Sequence, residues 1–421
     1  MPSVRIETYG CSMNKASSEV VAGLLLERGH EISDGPSFDA VVVNTCTVKT
    51  PTERKIFRRL EELARDERKV VVAGCLPGTC PGIAGRFPSF SFVGTNVLDV
   101  PDALKEVLAG RRLVKIETEG CGPGHRRRRE NPVVGVIPIS QGCAGDCSYC
   151  LVRKARGRLK SYAPEGILGD IKAAVAEGVR EIWLTSQDCG CYGMDIGTDL
   201  PSLMSRVTSV EGDFMVRVGM MNPNHALNFL SELIEAYKDP KVYKFLHIPL
   251  QSGDDRVLKD MNRRYTADDY RRIVREFRRN IPNTTVSTDV IAGFPTEDDA
   301  AFQRTLDILE ETRPDVLNIS RFWARPGTGA SDMKQLHGRV TNARSRRVAE
   351  LFAKIAAENN GRWIGWEGEV LVSEKNKIGD YCARNYAYKP VILKEKTRLL
   401  GRTVIARVTG ATKNDLRGEM I

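Results

Sequence analysis

Six repeats of a short apolar run followed by a helical pattern occupy the middle of the chain and restrict its fold more than any other feature. Strands are predicted at residues 133–139, 181–185, 214–218, 245–248, 285–291 and 316–319, and helices at residues 165–177, 226–237, 267–279 and 297–311. Alternating strands and helices indicate a parallel sheet. Six units fit a partial (β/α)6 barrel, in which reactive side chains follow the strands. We place this domain at residues 131–360.

The first 120 residues predict a separate α/β domain with a doubly wound parallel sheet. Strands are predicted at residues 4–8, 40–44, 70–73 and 90–93, with helices at residues 17–29 and 53–65. Cys11, Cys46 and Cys75 each follow one of the first three strands by two or three residues. Because ligands of such sheets bind beyond the carboxyl ends of the strands, we expect these three thiols to converge.

Residues 120–131 combine Gly, Pro and four consecutive arginines, which is typical of a domain boundary. The arginines either form a solvated face or contact a phosphate backbone. The net charge of +9 (63 basic against 54 acidic residues) fits a polyanionic partner, although charge alone is weak support.

Residues 362–421 change to short β-like runs at 369–373, 389–393 and 403–409, which predict a small β-barrel. This segment contains 12 Lys and Arg residues against 7 Asp and Glu residues, with Tyr381, Tyr386 and Tyr388 among them. Basic groups beside aromatic rings suit contact with a nucleic acid. Alternatively, the tyrosines fill a small core.

The strongest local motif is the C-x3-C-x2-C loop formed by Cys143, Cys147 and Cys150, directly after the first barrel strand. Three thiolates can hold three irons of a four-iron, four-sulfur cluster and leave the fourth iron open. An open metal position distinguishes a reactive site from a closed structural one. Zinc is the alternative, but structural zinc takes four protein ligands, and no second cysteine pair of that kind accompanies the loop.

With an aromatic residue before its last cysteine, this loop resembles that of the radical S-adenosylmethionine (SAM) enzymes. The whole chain is similar to the methylthiotransferases, which join a second-cluster domain, a radical SAM core and a TRAM RNA-binding barrel. The second-cluster motifs are matched by YGCSMNKASSE, VVNTCTVKTPTE and AGCLPG. The archaeal and eukaryotic branch acting on threonylcarbamoyladenosine is matched by ARGRLKSY, EIWLTSQDCGCYGMDIG, RVGMMNP, FLHIPLQSG and DVIAGFPTE.

The resemblance implies two [4Fe-4S] clusters and SAM as cofactors, with tRNA as the substrate. It assigns the auxiliary cluster to Cys11, Cys46 and Cys75 and the radical cluster to Cys143, Cys147 and Cys150. One SAM would methylate the sulfur, and another would supply a radical. The implied reaction converts N6-threonylcarbamoyladenosine at tRNA position 37 to its 2-methylthio derivative. Its C2–H bond is unactivated, so a cofactor radical suits the chemistry better than side-chain acids or bases.

The expected cofactor contacts follow the barrel strands: Tyr149, Gln187, Asp188, Arg217, Gln251 and Asp289. We expect Tyr149 to lie beside the radical cluster and the adenine of SAM, and Arg217 to pair with a carboxylate. Each could instead be a solvated or ion-paired residue at the barrel rim. Asn14 could cover the auxiliary cluster or cap a helix, and Cys189 and Cys191 could handle sulfur or be ordinary thiols.

Three alternatives to this function remain at this stage. The same chemistry could act on isopentenyladenosine in tRNA or on a ribosomal protein, and a non-catalytic RNA-binding protein could hold structural zinc. Eleven cysteines without a signal peptide or an 18-residue apolar run favour the cytoplasm and argue against a membrane location. An electron donor and a sulfur source are expected partners that the sequence leaves unidentified.

Overall fold

The computed structural model of the protein describes residues 1–48, 50–395 and 397–421. Lys49, in one of the cysteine motifs, and Lys396, among the basic residues of the last segment, lie outside the described residues. Within those three ranges, no helix is both long enough and apolar enough to cross a bilayer.

The amino-terminal domain is a six-stranded parallel sheet with helices on both faces, as predicted. Its strands are β1 (Ser3–Thr8), β2 (Glu31–Ile32), β3 (Ala40–Thr45), β4 (Lys69–Gly74), β5 (Ser91–Val93) and β6 (Val114–Lys115), in the order β2-β1-β3-β4-β5-β6. Its helices are α1 (Ser12–Glu27), α2 (Thr50–Arg65), α3 (Cys75–Thr79), α4 (Ile83–Arg86) and α5 (Val100–Leu108). Every residue of β3 is buried, because α1 and α5 cover one face of the sheet and α2 covers the other.

Helix α1 begins at Ser12, five residues before the predicted start. Its first turns carry buried polar side chains, including Asn14, Ser17 and Ser18, because this end of the helix packs between two domains. A search for apolar periodicity misses such a turn. The two-residue strands β2 and β6 were also missed, since they are too short to show any period.

The central domain is the expected partial barrel of six parallel strands. These are β7 (Val134–Pro138), β10 (Glu181–Thr185), β11 (Met215–Val218), β12 (Phe245–His247), β13 (Thr285–Ala292) and β14 (Val316–Arg321), with a two-stranded ribbon of β8 (Ser140–Gln141) and β9 (Lys160–Ser161). The order β7-β10-β11 continues through a bridge between Val216 and Val242 to β12-β13-β14. Strands β7 and β14 are therefore the two edges.

The helices of this domain largely follow the predicted ones. They are α6 (Val152–Arg156), α7 (Pro164–Ala176), α8 (Leu200–Thr208), α9 (Pro223–Ala226), α10 (Leu230–Lys238), α11 (Asp255–Asp260), α12 (Ala267–Asn280), α13 (Asp299–Thr312) and α14 (Gly338–Gly361). The single helix predicted at residues 226–237 was wrong. It divides into α9, a 3-10 turn and α10, because Phe229 leaves the helical conformation with φ −141° and ψ 37°.

The amino-terminal domain contacts the barrel at both edges. Beside β7, Ala16 of α1 packs with Val134 and Val136, and the hydroxyls of Ser12 and Thr185 lie 2.6 Å apart. Beyond β14, Arg325 donates hydrogen bonds to Thr47 and Thr50 of the amino-terminal domain. The domain therefore bridges the gap between the two edges of the partial barrel.

Two members of the four-arginine run are interdomain ion-pair partners, which neither sequence interpretation foresaw. Arg127 pairs with Asp170 of α7 at 3.0 Å, and both side chains are almost fully buried. Arg129 pairs with Glu177 at 3.0 Å and approaches Glu19 of α1 at 3.7 Å. Arg126 and Arg128 are exposed. Arg128 nevertheless pairs with Asp34 of the amino-terminal domain at 3.2 Å, in a solvent-exposed contact. The buried interdomain pairs are therefore those of Arg127 and Arg129.

The carboxy-terminal segment is a closed five-stranded barrel, as predicted in kind. Its strands are β15 (Glu367–Lys375), β16 (Tyr381–Arg384), β17 (Pro390–Leu393), β18 (Thr403–Ala411) and β19 (Leu416–Met420). Tyr381 and Tyr388 are buried, so these two rings belong to the packing and are not available for base stacking. The Tyr388 hydroxyl donates to Glu181 of the central domain at 3.0 Å, which ties the two barrels together.

Candidate metal centres and the pocket between them

Cys11, Cys46 and Cys75 lie at the carboxyl ends of three adjacent strands. Cys11 precedes α1, Cys46 directly follows β3, and Cys75 directly follows β4. Because β1, β3 and β4 are neighbours in the sheet, the three residues meet at one edge. A Cβ added to Gly10, which has φ +113°, would lie 2.7 Å from the Cys46 sulfur. The chain before Cys11 can therefore pass this close to Cys46 only as glycine.

Cys143, Cys147 and Cys150 lie on one loop after the first barrel strand. The loop is anchored by Ser148, whose amide donates to the Met261 carbonyl at 3.0 Å and whose hydroxyl donates to the Asp260 carbonyl at 2.8 Å. Backbone amides also point at the sulfurs: Gly145 N–H donates to Cys143 at 3.3 Å, and Val152 N–H donates to Cys150 at 3.4 Å. Such amide donors stabilise thiolate ligands.

The raised pKa values of these thiols argue against a role as free nucleophiles. Burial, with a smaller contribution from the neighbouring cysteines of each triad, raises the pKa of Cys46 and Cys150 to about 11 and that of Cys143 to about 12. Without a metal these groups would be protonated at neutral pH. A bound metal reverses this, because a coordinating thiol is deprotonated outright.

The spacing of the sulfurs argues against a single zinc ion in either triad. Tetrahedral zinc with bonds near 2.3 Å requires its sulfurs to be about 3.8 Å apart. Among the described residues, the only group of three or more potential ligands whose donor atoms all lie within 4.8 Å of one another is Asp188, Cys191 and His225. Neither triad is that compact, which suits a cluster in which each sulfur binds a different iron.

The Asp188 group is explained by hydrogen bonds. Asp188 is fully buried, and its carboxylate accepts from Asn222 Nδ2 at 2.6 Å, from His225 Nδ1 at 2.9 Å and from the amides of Gly190 and Asn222 at 3.0 Å. The Cys191 thiol donates to the Asp188 carbonyl at 3.1 Å, and burial raises its pKa. The Asp188 carboxylate therefore already accepts four hydrogen bonds from protein groups, whereas the sequence led us to expect a direct contact between Asp188 and the cofactor.

A cavity of about 450 Å³ is lined by Cys150 of the second triad and by residues that follow Cys46 of the first. Its walls include Thr47, Val48, Thr50 and Pro51 on one side, just after Cys46, and Tyr149, Cys150, Gln251 and Asp289 on the other. Apolar side chains complete the walls: Leu151, Val152, Ile291, Ile319 and Phe322. The cavity thus contains residues of both domains.

Three of the predicted cofactor contacts line this cavity. The Tyr149 hydroxyl accepts from Arg263 Nε at 3.1 Å, so its ring is fixed beside Cys150. Asp289 accepts from His247 Nε2 at 2.7 Å. Gln251 is buried in a left-handed conformation (φ +61°), and its Oε1 has no hydrogen-bond partner within the described part of the chain. Positive φ in a non-glycine residue is a strained arrangement that clusters at ligand sites.

Gln187 and Arg217 do not line this cavity. The Gln187 Oε1, in the loop after β10, is buried and has no partner among the residues described. Arg217 lies over the rings of Trp183, Phe245 and Tyr388 at 5.0–5.4 Å, and its buried Nε has no hydrogen-bond partner in residues 1–48, 50–395 and 397–421. The expected pairing of Arg217 with a carboxylate is thus not made within the described protein residues.

These unsatisfied atoms test whether the site fits the cofactors that the fold family implies. Buried polar atoms in proteins are nearly always hydrogen-bonded, so each exception needs an explanation. Among the predicted contacts that line the cavity, Gln251 carries such an exception, whereas Gln187 and Arg217 carry theirs outside the cavity wall. Together with six cysteines outside any disulfide, the residues present fit two clusters and a polar nucleoside.

Sequence reasoning missed two buried arginines that join the domains at the metal sites. Arg156, at the end of the helix that follows Cys150, donates to Asn14 Oδ1 at 2.6 Å and hydrogen-bonds the Cys75 thiol. Arg325 binds Glu53 and Thr47 beside Cys46. Arg156 lies in the quoted ARGRLKSY motif, but only the fold brings it to the other triad.

Three sequence families match successive parts of the chain. Residues 3–83 match the family described as "Uncharacterized protein family UPF0004", residues 137–309 match the Radical SAM superfamily, and residues 361–421 match the TRAM domain. These matches cover both cysteine triads and the carboxy-terminal barrel.

Relatives match the whole chain. A protein of Pyrococcus horikoshii named "Probable threonylcarbamoyladenosine tRNA methylthiotransferase" is 44% identical over 433 residues. The alignment covers 100% of this chain and 100% of that protein. The chain belongs to the threonylcarbamoyladenosine tRNA methylthiotransferase family. Another member, from Drosophila melanogaster, is 36% identical over 99% of this chain and 77% of its own length. As a radical SAM methylthiotransferase, the protein uses two [4Fe-4S] clusters and SAM.

Solved structures support the fold of this family member. The radical SAM methyltransferase TsrM from Kitasatospora setae superimposes with a TM-score of 0.57 at 14% identity, over 78% of this chain and 76% of that one. At this identity the likeness concerns the fold alone.

Proposed function

We propose that this protein converts N6-threonylcarbamoyladenosine at position 37 of tRNA to 2-methylthio-N6-threonylcarbamoyladenosine by a radical SAM mechanism. The observation that carries the proposal is full-length similarity to the named methylthiotransferases, in a chain with a cavity lined by Cys150 of one triad and by residues that follow Cys46 of the other. That cavity gives the adenosine a place between a radical source and a sulfur source.

We assign the radical cluster to Cys143, Cys147 and Cys150 and the auxiliary cluster to Cys11, Cys46 and Cys75. Tyr149, Gln187, Arg217, Gln251 and Asp289 are the proposed contacts to SAM or the substrate. Asp188 acts as a positioning residue, because its carboxylate holds Asn222, which in turn accepts from Arg263, the partner of Tyr149. This buried network fixes the cluster loop relative to the loop after β10.

When bound, the reduced radical cluster and SAM supply a 5′-deoxyadenosyl radical able to remove the hydrogen at adenosine C2. The protein must exclude water and hold the adenosine near both triads. Ile291, Ile319 and Phe322 provide apolar walls, while the unpartnered Gln251 Oε1 offers an acceptor for a ribose hydroxyl or an exocyclic amine. Fixed contacts of this kind convert binding into correct orientation.

We propose that residues 1–120, 131–360 and 362–421 act as the auxiliary-cluster domain, the radical core and the RNA-binding domain. Exposed Lys377, Lys394, Arg398 and Arg402 on the last barrel supply positive charge for the tRNA backbone. The reaction also needs an external electron donor and a source of sulfur, which are separate partners. Because tRNA is the substrate, we place the reaction in the cytoplasm.

The decisive experiment deletes the gene and measures tRNA nucleosides by mass spectrometry. We expect the 2-methylthio derivative to disappear while threonylcarbamoyladenosine accumulates. Loss of a methylthio group from isopentenyladenosine or from a ribosomal protein would instead identify another branch of the chemistry. Stoichiometric zinc without acid-labile sulfide in anaerobically purified protein would support a non-catalytic RNA-binding protein.

Cysteine variants then separate the two sites. Changing Cys143, Cys147 or Cys150 to Ala should abolish SAM cleavage. Changing Cys11, Cys46 or Cys75 to Ala should leave SAM cleavage intact and stop sulfur transfer. Methylthiolation by any auxiliary-triad variant would contradict the division of roles.

A further inference from the structure

Arg321 is a cation in the wall of the central cavity that has no acidic partner among the residues the structure describes. It is the last residue of β14, and it lines the cavity together with Gln251, Asp289, Thr47 and Thr50. Within the described residues, no carboxylate lies within ion-pair distance of its guanidinium, whereas the neighbouring Arg325 pairs with Glu53 at 2.5 Å. Arg321 is therefore the lining arginine available to an anionic ligand.

The guanidinium is held in place without being neutralised. One of its nitrogens, Nη1, donates to Asn342 Oδ1, and its carbon lies 5.3 Å from the centre of the Trp323 ring. An arginine stacked on an aromatic ring keeps its edge free for hydrogen bonds. Arg54, from the amino-terminal domain, also lies over Trp323 at 5.2 Å but does not line the cavity.

We propose that Arg321 binds the carboxylate of the threonyl group on the substrate adenosine and so selects this nucleoside, an inference that rests on the proposed function. Threonylcarbamoyladenosine carries a carboxylate that unmodified adenosine and isopentenyladenosine lack. A guanidinium matches a carboxylate with two parallel hydrogen bonds. The hydroxyls of Ser320 and Ser345 line the same cavity and provide polar partners for the rest of the threonyl group.

A phosphate of the RNA backbone is the other anion that Arg321 could meet. The two sources are distinguished by changing only the charge of the threonyl group. The probes are an anticodon stem-loop RNA with threonylcarbamoyladenosine at position 37 and the same RNA with that carboxylate blocked as a methyl ester. Both carry identical phosphates.

The experiment measures Kd by fluorescence anisotropy for both RNAs, using the cluster-loaded wild-type protein and the variants R321Q, R321K and R54Q. We expect the wild type to prefer the acid over the ester by roughly tenfold, the effect of a hydrogen bond to a charged group. R321Q should lose this preference. R321K should keep part of it, because lysine retains the charge but not the paired geometry.

R54Q is the matched control, since it removes the same charge from the other contact of Trp323 and from an exposed position. It should change the preference by less than about twofold. If R321Q keeps the preference for the acid, or weakens both RNAs equally as a phosphate contact would, the inference is wrong.

Two further readouts keep the outcomes separate. Iron content and RNA-independent SAM cleavage of R321Q should equal those of the wild type. If R321Q loses its clusters, the test is made with R321K instead. A preference of R321K for the acid RNA as large as that of the wild type would then refute binding through two parallel hydrogen bonds. Methylthiolation of the acid RNA by the wild type tests the proposed function itself. Its absence would overturn that function, whereas activity combined with an unchanged preference in the variants would overturn only the role of Arg321.

Discussion

Replacing Arg325 with Met removes the buried contact that holds the segment after Cys46 against the radical core. Arg325 is only 9% exposed. Its Nη2 donates to Glu53 at 2.5 Å and to the Thr47 hydroxyl at 2.7 Å, while Nη1 donates to the Thr50 hydroxyl at 3.1 Å. Met fills much of the same volume, so the change mainly removes the charge and its hydrogen bonds.

The magnitude follows from the burial of both partners. Breaking a buried ion pair by removing one partner costs about 3–5 kcal/mol. The Glu53 side chain is 25% exposed and recovers some hydration, so we expect about 2–3 kcal/mol. This free energy is lost from the docking of residues 46–56 against the radical core. It corresponds to a rise of roughly 30- to 150-fold in the equilibrium constant for local opening of this segment.

Hydrogen exchange followed by mass spectrometry measures this opening directly. Peptides covering residues 46–56 should lose protection in R325M, while peptides from β13 should not change. The matched control is R256M, which breaks the exposed Arg256–Asp298 pair and should cost no more than about 1 kcal/mol. We expect R325M to cleave SAM normally but to transfer sulfur slowly. Unchanged protection of residues 46–56 would refute the argument that Arg325 docks the auxiliary site.

Three other perturbations test separate features. R156M should lose the iron of one cluster on gel filtration while retaining SAM cleavage, because Arg156 hydrogen-bonds Cys75 across the domain interface, whereas K154M, which changes an exposed neighbour, should retain both clusters. Burial raises the pKa of Glu19 from 4.5 to about 7 despite nearby Arg129 and Arg127. The folded state therefore binds more protons than the unfolded state between these values, so this residue lowers stability as pH rises through that window. E19Q should accordingly stabilise the protein more at pH 8 than at pH 5 in denaturant titrations, and an equal effect at both would contradict this sign. The double variant K394E/R398E should weaken tRNA binding and reduce the slope of log Kd against log salt by roughly 1–2; an unchanged slope would remove this face of the barrel from the RNA contact.

Local sequence patterns were sufficient where the signal comes from neighbouring residues. The strand repeats predicted both parallel sheets, since period and length report burial directly. The placement of cysteines after strands predicted the meeting of Cys11, Cys46 and Cys75, because parallel strands end at a common edge. The C-x3-C-x2-C spacing likewise placed three thiols on one loop.

Contacts between distant segments needed the tertiary structure. Arg156 and Cys75, or Arg325 and Thr47, are separated by 81 and 278 residues and carry no mutual sequence signal. For the same reason, the burial of Asp188 by Asn222 and His225, and of Tyr388 by the central barrel, could not be read from local polarity. The sequence by itself determined the fold class of each part of the chain and the placement of the cysteines after strands. Only the packing of the domains on one another decided which polar side chains bind partners in the interface. It also decided which side chains, such as those of Gln251 and Arg321, are left for a ligand, because the burial and pairing of an atom depend on all of its surroundings.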